Sequence, residues 1–205
     1  MEQNKEMTAQ ESLKLITETM NNNRREIVRS SGNYFLLWGI LLTLFSLLVY
    51  AFWKTTGNAA WNNLWFAMPL IGYPLSVWLK NRENSVRAEN FISRTSGAIW
   101  TSFGIFACSV ALFTVLLGVF GKNALANIVV LASLTAQIVL LFGLAETISG
   151  CVLKNRVIQI AGWITGIGGV AIYFILGANE EQMFIFTFAG IILAATGLIV
   201  KHQYK

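Results

Sequence analysis

A chain of 205 residues with 55% hydrophobic and only 12% charged side chains cannot cover a water-facing surface, since soluble domains carry about 25% charged residues. A net charge of +5, two cysteines, one histidine and no aspartate exclude a disulfide scaffold, an acidic disordered chain and most acid–base or metal chemistry. With a mean hydropathy of +0.59, the matching solvent is a lipid bilayer.

The chain opens with a polar segment, residues 1–33, in which Thr8-Ala-Gln-Glu11 has the spacing of a capping box. Behind it Leu13, Ile16, Met20 and Ile27 recur at helical spacing. This predicts an amphipathic helix over about residues 8–28, weakened at the run Asn21-Asn22-Asn23. Its apolar face suits an anchor lying in the membrane interface, with Arg24, Arg25 and Arg29 near anionic headgroups. Pairing with a second copy and docking of a cytoplasmic protein are the other uses of such a face.

Six segments then have the length and apolarity of membrane spans: 34–53, 61–79, 97–120, 125 to about 150, 157–177 and 183–200. The predicted fold is an all-α polytopic bundle of six transmembrane helices over residues 34–200, followed by a tail at 201–205. Of the 15 Lys and Arg residues, all but Lys54 and Lys122 fall on one side of these spans. By the positive-inside rule both termini are cytoplasmic and the protein is multi-pass in the cell inner membrane.

In the second span lie both prolines, Pro69 and Pro74, with Gly72 between them. Each proline removes a backbone donor, so this helix is expected to kink or open. The loop at 80–96 is predicted to continue that helix, supported by Glu83 and Arg87 at i,i+4. No aromatic residue interleaves its basic residues, so it does not read as a nucleic-acid surface.

The fourth span carries Glu146, the only ionisable side chain within the six. At helical spacing Thr135, Val139, Gly143 and Glu146 share one face, a small and partly polar groove. An intramembrane carboxylate is a candidate proton relay or cation ligand. The expected roles for it here are an interfacial charge or a partner of Lys154 or Arg156, with the relay as the alternative.

In the fifth span Gly162 and Gly166 form a GxxxG pair, and Gly190 and Ala194 in the sixth supply a matching small-residue face. A three-plus-three division would align the second and fifth spans, the two interrupted by Gly or Pro. Cys108 and Cys151 are predicted to be free thiols, Cys108 as a small packing residue.

The absence of Asp, and of any H-E-x-x-H, G-x-S-x-G or nucleotide-binding glycine pattern, argues against an enzyme and against a bound metal or cofactor. The stretches Glu11-Ser-Leu-Lys-Leu-Ile16, Ser31-Gly-Asn-Tyr-Phe-Leu-Leu-Trp-Gly39, Met68-Pro-Leu-Ile-Gly-Tyr-Pro74 and Ile148-Ser-Gly-Cys-Val-Leu-Lys154 resemble a group of six-span membrane proteins of Bacteroidota. That resemblance implies a bacterial inner membrane and transfers no functional residue. The expected function is therefore binding: a membrane sensor or regulatory partner acting through the N-terminal helix and cytoplasmic loops. The alternative is a small oligomeric transporter or channel for a small or hydrophobic solute, using Glu146 and the proline-broken second helix.

Overall fold

The computed structural model describes residues 8–82, 91–120, 124–176 and 179–204, and these are helical without any strand. The helices are α1 (Ala9–Thr56), α2 (Ala67–Arg82), α3 (Phe91–Phe120), α4 (Ala124–Leu153), α5 (Arg156–Trp163), α6 (Gly169–Leu176) and α7 (Met183–Gln203). A π-helical turn, Ile164–Gly168, joins α5 to α6 into one rod, Arg156–Leu176. Among the described residues, five helical stretches are long and apolar enough to cross a membrane. The Glu83–Arg87 pairing lies outside the described residues.

α1 is a single helix of 48 residues, about 72 Å long. It runs through the Asn21–Asn23 run and through the boundary at residue 33 without interruption. Asparagine costs only a few tenths of a kcal/mol per helical position, too little to break a helix held at both ends. One end is held by the predicted cap. The Thr8 hydroxyl accepts from the Glu11 N–H at 3.3 Å, and the Glu11 carboxylate accepts from the Thr8 N–H at 2.9 Å. At the other end the Gly57 N–H, in a left-handed conformation (φ 66°), donates to the Trp53 carbonyl at 2.8 Å.

Because the helix is continuous, its N-terminal part follows the axis of the first span. Leu13, Ile16 and Met20 are exposed along it, and burial begins only at Ile27 and Val28. Hydrogen bonds from the Thr8 backbone and hydroxyl hold the Glu11 carboxyl below its ordinary value. A carboxyl depressed in the folded state contributes fully above its unfolded value and loses that contribution as pH falls through the lowered one. Protection of the Thr8, Glu11 and Ser12 amides, relative to their intrinsic exchange rates, is therefore expected to fall on acidification through that range, and Glu11→Gln is expected to abolish that pH dependence.

α1 and α7 form the most extensive helix pair. They cross through glycine: Gly32 lies against Gly197, and Gly39 against Gly190 and Ala194. As the number rises on one helix it falls on the other, so the pair is antiparallel, with glycines at heptad spacing along both helices. Ser46 and Thr187 continue the seam with a hydrogen bond at 2.8 Å. Gly190 and Ala194 thus pack as predicted from their size, but on α1, not on the glycines of the fifth span.

The second segment starts differently from the continuous helix predicted from residue 61. Ala59–Phe66 is a 3₁₀ helix, and α2 proper has 16 residues. The change comes just before Pro69, whose missing N–H would otherwise serve the Trp65 carbonyl; the Ala67 N–H reaches Leu64 and Trp65 instead. α2 then continues through Pro74. Gly72 does not act as a hinge. It seats the Trp38 ring of α1, whose Nε1 donates to Ser76 Oγ at 3.1 Å. The interruptions of the second and fifth segments therefore differ in kind, one 3₁₀ and one π.

Two apolar layers fill the bundle. One comprises Ile27, Val28, Phe35, Leu153, Ile158, Leu193 and Val200. The other comprises Leu42, Val49, Val139, Met183, Ile185, Phe186 and Ala189. α3 packs chiefly on α4, and both Cys108, on α3, and Cys151 are free and exposed.

Candidate functional site

Two residues turn the chain from α4 into α5. Lys154 adopts the left-handed conformation (φ 51°), and the Asn155 side chain caps α5 by accepting from the Val157 and Ile158 N–H groups at 2.9 and 3.2 Å. So short a link forces α4 and α5 to run antiparallel and in contact.

Glycine sets how close they come. A Cβ on Gly143 would collide with the Gly166 backbone and the Gly162 carbonyl, and one on Gly162 would collide with Thr147. Gly150 meets Gln159 in the same way. The predicted GxxxG pair is therefore a packing motif, with α4 as its partner.

This crossing encloses Glu146. On α4 it lies midway between Val139 of one apolar layer and Leu153 of the other, about 10 Å from each along the axis. The side chain is fully buried, and neither carboxylate oxygen has a hydrogen-bond partner. The two structural roles expected for it do not apply: a buried side chain is not an interfacial charge, and it makes no bond to Lys154 or Arg156, both exposed.

Opposite Glu146 stands Thr165, also fully buried. Its hydroxyl is the polar side chain that bears on the carboxyl, yet the two fall outside hydrogen-bond geometry. Hydroxyls elsewhere in these helices satisfy themselves by donating one turn back. Thr43, Thr114, Thr147 and Ser149 each donate to the i−4 carbonyl at 2.8 Å. Thr165 does not. Its i−4 carbonyl, Ala161, accepts instead from the Ile164 N–H at the start of the π turn. π turns are rare and concentrate at functional sites. Here one places an unsatisfied hydroxyl across from an unsatisfied carboxyl.

The other candidates lie elsewhere. Thr135 shares the buried face of α4 but sits three turns from Glu146, roughly 16 Å, and donates to the Gln182 side chain at 2.5 Å. Pro69 and Pro74 are exposed on α2, which packs against α1. The structure therefore pairs Glu146 with Thr165, a residue the sequence reading passed over. The available signal was a lone threonine within the glycine-rich run Gly162–Gly169.

Chemically, one carboxyl and one hydroxyl suit a proton or a monovalent cation. A divalent ion needs more oxygen ligands, and no group of three or more His, Cys, Asp or Glu side chains occurs among the described residues. An uncompensated carboxylate at this depth costs several kcal/mol, so the site needs a proton or a cation to neutralise it. Compared with models of protein families, with curated proteins and with solved structures, the chain matches none.

Proposed function

We propose that this is a non-enzymatic, multi-pass protein of a bacterial inner membrane that works by reversible capture of a proton or monovalent cation at Glu146. The observation that carries the proposal is the fully buried carboxyl without a partner, set between two apolar layers and facing the orphaned Thr165 hydroxyl. A group so costly to bury, with no bond in return, fits a working site better than a structural one.

In the leading reading the protein is a sensor or regulatory partner. Capture changes the fit of α4 against the π turn, and the adjoining helices pass the change to α1. Since α1 is one helix, movement within the bundle reaches the exposed face of Leu13, Ile16 and Met20, where a second copy or a cytoplasmic protein would bind. The second reading is a small, oligomeric transporter or channel, because an unpartnered intramembrane carboxyl is also what proton-coupled flux requires.

Proteoliposomes separate the two. A fluorophore on a single cysteine at Leu13 is expected to report a reversible pH- or cation-dependent change in the wild type, lost in Glu146→Gln. Interior pH and cation indicators are expected to show no flux if the protein is a regulator, and flux abolished by the same substitution if it is a transporter. A wild-type protein giving neither signal would defeat both readings.

We extend the proposal to topology: six spans, with both termini and the connection from α2 to α3, over residues 80–96, in the cytoplasm. Single cysteines at Asn58 and Asn179, in a background lacking Cys108 and Cys151, are expected to react with an impermeant reagent on intact cells. Protection of both positions would reverse the orientation.

A further inference from the structure

A second site is open where Glu146 is closed. At the end of the bundle that the charge distribution assigns to the cytoplasm, a cleft of ≈ 380 Å³ is lined by Asn33, Leu79, Arg82 and Lys201. Three helices build it: α1 supplies Asn33, the last turn of α2 supplies Leu79 and Arg82, and the last turn of α7 supplies Lys201. Next to it α1 and α7 pack closely, since a Cβ on Gly32 would meet the Gly197 carbonyl and the Lys201 backbone.

Two cations far apart in sequence thus share one opening, and among the described residues no acidic side chain lines it. Neither Arg82 nor Lys201 makes an ion pair with a described residue. The Arg82 guanidinium lies 5.4 Å from the centre of the Trp78 ring, a cation–π contact along α2. Trp78 is itself exposed, as an aromatic anchor at a membrane interface would be. Leu79 adds an apolar wall.

We infer that this cleft binds a phosphate-bearing anion, with the two cations of Arg82 and Lys201 on the phosphate and Leu79 beside its apolar part. An anionic phospholipid headgroup satisfies every wall of the cleft; a free phosphate would use the cations alone. Basic clefts between membrane helices on the cytoplasmic face are a recurrent form of headgroup site. The inference does not involve Glu146.

The intact protein, delipidated in a neutral detergent, is titrated with phosphatidylglycerol, with phosphatidylcholine and with inorganic phosphate, and the bound species are counted by native mass spectrometry. Phosphatidylglycerol is expected to bind in preference to phosphatidylcholine. Arg82→Gln and Lys201→Gln are each expected to weaken it about fivefold, and the double variant about 25-fold. Lys14→Gln, on the exposed part of α1, is expected to change nothing. The two single variants keep the test decisive if the double variant fails to fold. Saturable binding of inorganic phosphate, lost in the same variants, would support the site with a free phosphate as its ligand. Equal phosphatidylglycerol affinity in wild type and variants, with no phosphate binding, would overturn it and leave the two cations serving only the carbonyl ends of α2 and α7.

Discussion

Glu146→Met is expected to make the protein more stable, not less. Methionine is unbranched and of similar length, so it fills the same space between α4 and the π turn. It removes a buried polar group whose two oxygens have no partner. Such a group costs about 1–3 kcal/mol when neutral and more when charged. Replacing buried ionic groups by apolar ones of similar volume is often stabilising. A gain of about 2 kcal/mol would raise the thermal midpoint in detergent by about 4–8 °C. The same substitution is expected to remove every pH- or cation-dependent response. More stability with no response is the mark of a residue kept for its work. If Glu146→Met instead lowered the midpoint, the carboxyl would have to be bonded in the folded state, and the site would be structural.

Gly39→Val is expected to have the opposite effect, a loss of about 3 kcal/mol or more. The first carbon of any side chain at this position runs into the Ala194 backbone N and Cα and the Gly190 carbonyl. Backbone cannot rotate away as a side-chain tip can, so α1 and α7 must separate. With them would go the Ser46–Thr187 hydrogen bond and both apolar layers, to which the two helices contribute. Gly104→Val on α3 is the matched control. A Cβ there meets nothing within 4 Å, so its effect is expected to stay within about 0.5 kcal/mol. Urea or dodecyl sulfate titration of the three proteins gives the comparison. Equal midpoints for Gly39→Val and the control would mean that the α1–α7 seam does not hold the bundle.

Which features were legible in the sequence follows from how locally each is determined. The Thr8–Glu11 cap lies within one turn and was read from spacing alone. Glu146 stood out because it is the only acid in any span, and its face on α4 follows from helical periodicity. Its partner did not stand out. A threonine in an apolar helix ordinarily bonds its own backbone, as Thr43 and Thr147 do. Thr165 is different because of a π turn, and no hydrophobic period announces one turn of altered winding. The small residues of the fifth and sixth segments were recognised as packing faces, whereas their partners are set by the two-residue turn after α4 and by the heptad glycines Gly32 and Gly39. The start of α2 was missed for a related reason. A proline says which bond is lost, but the shift to 3₁₀ winding over Ala59–Phe66 depends on how the preceding turn packs.

The turn at Lys154 and Asn155 also bears on how the chain enters a bilayer. Alone, an apolar helix carrying an acid pays an insertion penalty, up to about 3 kcal/mol for a charge at the helix centre and less toward its ends, as for Glu146. With only two residues between them, α4 and α5 have no room to partition one after the other. In a bilayer they would be expected to enter together as a hairpin, the arrangement in which Gly143 lies against Gly166 in the finished fold. Glu146 would then cross the lipid boundary on the inner side of that hairpin, shielded from acyl chains by the rod that carries Thr165. The left-handed Lys154 and the capping Asn155 are thus placed to help a chain with a buried acid be made at all, as well as to shape the finished fold.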